Sequence, residues 1–132
     1  MRRSIWSAMT SRRVTLGGVI AAAAVVGLTR AALLVITVDG ESMAPSYRPG
    51  DSVLVARRWI TGRIRPGDVV VCRLPAGLPG PAGYLVKRVT SVSAGQVFLQ
   101  GDGDHSYDSR AFGWIPVRSV VGRVITRLSG TS

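Results

Sequence analysis

Ser42 lies in the run Gly40-Glu41-Ser42-Met43-Ala44-Pro45, just ahead of the first of two Pro-Gly turns. A serine there can present its hydroxyl, Gly40 lets another backbone come close, and the Ser42 amide can donate to an oxyanion forming on an attacked carbonyl. Most turn serines only hydrogen-bond the backbone, so a nucleophile at this position needs a base. Lys87 is the one lysine in the chain, every other positive position being arginine. Arginine does not deprotonate in a protein, whereas a desolvated lysine amine does. In Tyr84-Leu85-Val86-Lys87-Arg88-Val89, read as a strand, Leu85, Lys87 and Val89 share one face. Apolar neighbours there disfavour the ammonium and lower its pKa, as a base working near neutrality requires. The same pattern also suits a lysine snorkelling from an ordinary strand edge.

A third run, Gly101-Asp102-Gly103-Asp104-His105-Ser106-Tyr107-Asp108-Ser109-Arg110 followed by Phe112-Gly113, completes a set of three. Together they resemble the type I signal peptidases, serine proteases with a Ser-Lys dyad. Gly40-Glu41-Ser42-Met43-Ala44-Pro45 is similar to that family's Ser-Met-x-Pro-Thr nucleophile box, with Ser46 in place of threonine. The strand around Lys87 is similar to its apolar-Lys-Arg-Val run, and the third set to its Gly-Asp-Asn and Ser-x-Asp-Ser-Arg-x-x-Gly signature. The resemblance implies Ser42 as nucleophile and Lys87 as general base, with Gly40, Met43 and Pro45 in the nucleophile box. It implies that Ser106 orients the Lys87 amine and that Asp108 and Arg110 form a supporting ion pair. Gly40 stands where some members carry an oxyanion-donating serine, which leaves that task to backbone amides. Gly103 stands where the family has asparagine, and the spacer before Ser106 is one residue shorter. No cofactor or metal is implied. Asp102, Asp104 and Asp108 lack the bidentate glutamate and flanking helices of an EF-hand calcium loop, and the only histidine, His105, reads as a loop residue.

The elements that must position these residues are mainly β. Apolar and β-branched runs predict strands over 33–38, 52–56, 69–73, 84–92, 96–100 and 119–128. Two identical tetrapeptides, Arg48-Pro49-Gly50-Asp51 and Arg65-Pro66-Gly67-Asp68, predict reversals in which proline presets φ and glycine accepts a positive φ. The stretch 74–83, rich in proline and glycine, reads as a surface loop with no room for an inserted domain. A strand count of this size predicts a small antiparallel β-barrel-like domain over 33–132.

Ahead of it, 1–13 is basic and 14–32 is almost wholly apolar, which predicts one N-terminal transmembrane helix with a cytoplasmic N-terminus and the β domain on the outer face of a cell membrane. A cleavable signal peptide is the rival, but no polar, small-residue cleavage region separates the apolar run from the first strand. The single Cys72 excludes an internal disulfide framework, and no Cys/His cluster exists for zinc. The net charge of +10 comes from arginines scattered among turns and strands, which suits a lipid bilayer and does not point to nucleic acid. The resemblance implies precursor proteins carrying signal or leader peptides as partners. The alternatives are a maturation protease dedicated to one precursor, and a non-catalytic membrane-anchored β module that binds peptide or lipid.

Overall fold

The computed structural model describes residues 3–78, 80 and 83–129, without the side chains of residues 3–15 and 129. The chain divides into two units, Met1–Ala31 and Ala32–Ser132. In the first, α1 runs from Arg3 to Ala32, and its described side chains from Leu16 to Ala31 are exposed. The expected transmembrane segment over 14–32 is therefore helical, but no helix among the described residues is long and apolar enough to cross a membrane. The reason lies in its bounds. Between Arg13 and Arg30 the uncharged run is 14–29, which rises only ~24 Å at 1.5 Å per residue against a hydrocarbon layer of ~30 Å. The side chains of the basic segment 1–13 lie outside the described residues.

The second unit is one antiparallel sheet in the order β1-β2-β7-β3-β4-β5-β6, curled as a half-barrel. Its strands are β1 (Leu33–Thr37), β2 (Ser52–Arg57), β3 (Val69–Cys72), β4 (Leu85–Ser93), β5 (Gln96–Gln100), β6 (Ile115–Pro116) and β7 (Val120–Ser129). The sheet stays open, with β1 and β6 as its edges, so the barrel-like expectation is met as a half-barrel. β3 is apolar at four successive positions, all buried, and a strand of that kind needs cover on both faces. Val70 and Cys72 pack with Val89, Val97, Leu99 and Ile115 on one side, while Val69 and Val71 pack with Met43, Val53, Val55 and Val86 on the other.

Both Arg-Pro-Gly-Asp turns close in the same way. The aspartate carboxylate accepts from the arginine amide at 2.9 Å, the aspartate amide donates to the arginine carbonyl at 3.1 Å, and Gly50 and Gly67 take φ of 89° and 94°. These turns feed β2 and β3. Four short elements among the described residues have no sequence expectation behind them: α2 (Arg58–Thr61), α3 (Ser109–Phe112), β6 and a 3-10 turn (Val117–Ser119). Of the loop expected over 74–83, Pro79, Pro81 and Ala82 lie outside the described residues.

Candidate active site

Lys87 sits on the face of β4 shared with Leu85 and Val89, opposite Val70 of β3, and only 3% of it is exposed. Its Nζ donates to Ser106 Oγ at 2.9 Å. Desolvation pulls the amine below the usual lysine range, and the nearby Asp108 carboxylate opposes that pull. Cys72 is also close to Lys87 and does not act as a counter-ion, because burial pushes its thiol up to about 12.

Asp108 fixes the loop that carries Ser106. Its carboxylate is fully buried and accepts from the Gly101 amide at 2.9 Å, from Arg110 Nε at 3.0 Å and from Arg110 Nη2 at 2.7 Å. It also caps α3 by accepting from the Arg110 amide. Burial alone would raise its pKa, but the Arg110 guanidinium, the Gly101 amide and the Ser106 hydroxyl together hold it well below the carboxylate range. Ser106 thus joins the amine of Lys87 to the carboxylate of Asp108. At the foot of the loop, Asp102 and Arg88 form a paired contact at 2.9 and 2.7 Å, tying 101–106 to β4.

Ser42 is half-buried on the turn after β1, preceded by Gly40 at φ 73° and followed by the buried Met43 and the cis Ala44–Pro45 bond. Its carbonyl accepts from the Gly103 amide at 2.8 Å. A Cβ on Gly101 would collide with both Ser106 Oγ and the Ser42 carbonyl oxygen, and one on Gly103 with the Glu41 carbonyl. Two glycines therefore let the serine turn and the Ser106 loop close on each other, so the Ser42 backbone packs against the loop whose Ser106 holds Lys87. No hydrogen bond joins Ser42 to Lys87 among the described residues; the lysine amine is taken up by Ser106.

Ser42 borders a cavity of about 250 Å³ whose walls include Thr37, Gly40, Tyr84, Leu85 and Val86. A second cavity, about 320 Å³, is formed by Glu41, Ala44 and Pro45 of the serine turn with Gly103, Asp104 and His105 of the loop packed on it. A larger one, about 720 Å³, lies at the far end of β4 between Arg58, Arg63, Arg65 and Val92, away from every residue of this cluster. Among the described residues no three His, Cys, Asp or Glu side chains converge as a metal ion would need.

The family model for signal peptidase, peptidase S26, matches residues 11–92 and 90–129. The chain belongs to that family. It is 32% identical to mitochondrial inner membrane protease subunit 1 of Xenopus tropicalis, over 71% of this chain and 68% of that protein. It is 34% identical to mitochondrial ATP-independent inner membrane protease subunit 1b of Arabidopsis thaliana, over 67% and 66%. The chain thus spans about two thirds of these relatives. Membership in the signal peptidase family makes it a serine peptidase by kinship.

Of the residues singled out in the sequence, Lys87, Ser106, Asp108 and Arg110 form one bonded chain, and Gly40 and Ser42 open onto the cavity beside β4, while Met43 anchors the turn in the core. Pro45 faces the other cavity. The Arg88–Asp102 pair and the packing roles of Gly101 and Gly103 had no expectation behind them. An arginine directly after the lysine and an aspartate inside a Gly-Asp-Gly turn were the available signal for the pair.

Proposed function

We propose that the protein is a membrane-associated endopeptidase that removes signal or leader peptides from precursor proteins by a Ser42-Lys87 dyad. One observation carries it: the chain's only lysine is buried, depressed in pKa and held at 2.9 Å from a serine on the loop that packs against the backbone of Ser42. Neutral Lys87 takes the Ser42 hydroxyl proton, and the oxygen adds to the scissile carbonyl carbon. The C–N bond then breaks as the ammonium returns its proton to the leaving amine, and water resolves the acyl-enzyme by the same route. Ser106 holds the amine by accepting from it, and Asp108 holds Ser106. Hydrogen bonds between catalytic groups are commonly long before substrate binds, which accommodates the unjoined pair in the free protein. Backbone amides around Ser42 serve the oxyanion, Gly40 having no side chain to offer.

Substrate fits the cavity beside Tyr84–Val86 as an added strand, because β4 pairs with β3 over Leu85–Arg88 but with β5 only from Arg88 onward. The two relatives, both named inner membrane proteases, support membrane association. The shortfall of ~6 Å in the uncharged run is within reach of an arginine stem such as that of Arg30 snorkelling toward the headgroup layer. The arginines ahead of the run favour a cytoplasmic N-terminus, with the β domain on the opposite face.

Membranes from cells expressing the full chain, washed at alkaline pH, test both parts together. The wild type should retain cleavage of a preprotein in the washed membranes, and Ser42→Ala and Lys87→Arg should each lose it. The arginine variant keeps the charge and cannot deprotonate. Activity surviving in either variant refutes the dyad, and activity washed into the supernatant refutes the anchor. Cleavage confined to a single precursor would mark a dedicated maturation protease.

A further inference from the structure

The chain has seven acidic residues against a net charge of +10. Four are bound to arginines: Asp51 to Arg127 at 3.3 Å, Asp68 to Arg123 at 3.7 Å, Asp102 to Arg88 and Asp108 to Arg110 at 2.7 Å. The other three, Asp39, Glu41 and Asp104, are exposed and have no ion pair among the described residues. All three line cavities at the serine turn: Asp39 the one that Ser42 borders, Glu41 and Asp104 the one formed by Ala44, Pro45 and Gly103. On a surface this rich in arginine, the acidic side chains without an ion pair among the described residues are gathered around the turn that carries Ser42. Concave walls focus their field.

The two cavities differ in what they can hold. The one beside β4 offers an unpaired strand edge at Tyr84–Val86, which suits the acyl half of a substrate, because that half must stay bound after the amine departs. The other is built from two loops with no strand edge, so it suits the half that leaves. Resting on Ser42 as the nucleophile, we propose that the 320 Å³ cavity receives the first residue after the scissile bond and selects a cationic side chain there. Ala44 and Pro45 supply apolar surface for the stem of a lysine or arginine. The Glu41 and Asp104 carboxylates meet its head, with His105 as a further polar group on the wall. An acidic residue in the same place faces two carboxylates and no arginine of the lining.

The test uses the full-length protein in detergent and internally quenched peptides that differ only at that residue: lysine, alanine or glutamate. The expected order of kcat/KM is lysine above alanine above glutamate. Each exposed carboxylate contributes a factor of about two to five, so the lysine-to-glutamate ratio should reach about tenfold. It should shrink at about 1 M NaCl, where screening acts over ~3 Å. The E41Q/D104N variant should bring the ratio toward one, and E41K/D104K should reverse it. Because each ratio compares two substrates on one enzyme, a loss of overall activity in a variant does not disturb it. Ser42-dependent cleavage with a ratio near one in the wild type, or a ratio that E41K/D104K leaves unchanged, overturns the charge preference alone. Absence of any Ser42-dependent cleavage overturns the nucleophile assignment and the preference with it.

Discussion

Lys87 shows in one side chain how the site trades stability for reactivity. A lysine whose amine is depressed by burial binds its proton less readily folded than unfolded. Between the folded pKa and the unfolded value near 10.4, the unfolded chain therefore holds more protons, so folding stability rises with pH across that window. Below the folded pKa both states are protonated, and the full cost of burying an ammonium is present. Methionine matches the stem and carries no charge, and buried charges replaced by apolar groups commonly gain stability. Lys87→Met is thus expected to unfold about 1 kcal/mol harder than the wild type at neutral pH while losing all cleavage activity. The gain should fade as pH rises toward 10. Thermal unfolding of both proteins across that range checks the sign, and a variant less stable at every pH would mean that the amine's bond to Ser106 outweighs its burial.

At the scale of elements, the site depends on how closely the serine turn and the 101–106 loop approach, and Gly101 sets that distance. Its backbone does not need a positive φ, so alanine is conformationally acceptable there, and only the collision with Ser106 Oγ and the Ser42 carbonyl opposes it. Gly101→Ala should therefore push the loop off the turn, costing about 1–3 kcal/mol of stability and lowering kcat/KM about 100-fold or more, since misplacement by about 1 Å can cost that much. Far-ultraviolet circular dichroism with a preprotein assay separates the two effects; full activity in the folded variant would remove Gly101 from any positioning role. This closeness was not legible in the sequence, where Gly101 and Gly103 stand only as letters of a signature. The strands were legible, because β-branched runs between Pro-Gly turns announce themselves, and the shared face of Leu85, Lys87 and Val89 follows from a period of two. Strand order was not. Residues 70 and 123 pair across the sheet, and no local pattern in either run encodes a partner that far away. Nor were α2 and α3, four residues each, since Arg58-Trp59-Ile60-Thr61 has no periodicity to read.

Over the whole β unit, four aspartates act as ties within an arginine-rich surface, two of them across long stretches of chain. Asp51 meets Arg127 of β7, Asp68 meets Arg123 of the same strand, Asp102 meets Arg88 of β4, and Asp108 meets Arg110 in the next element. The Arg110 guanidinium and its partners hold Asp108 below the carboxylate range against burial, and the Arg88 hydrogen bonds do the same for Asp102. For a carboxylate depressed on folding, the unfolded state takes up protons first as pH falls, so its contribution is fully present above the unfolded value near 4 and disappears as pH drops through the folded value. Protonation also releases arginines from their partners in a chain already at +10, and the self-repulsion grows at the same time. The melting temperature should accordingly be insensitive to these two groups between pH 5 and 7 and fall steeply below about pH 4. Asp108→Asn and Asp102→Asn should each lower the melting temperature at neutral pH by several degrees, and each should flatten the acid slope, because the proton-linked part of the tie is already gone. Melting curves from pH 2 to 7 for the three proteins decide it: variants with the wild-type slope would assign acid sensitivity to groups other than Asp102 and Asp108.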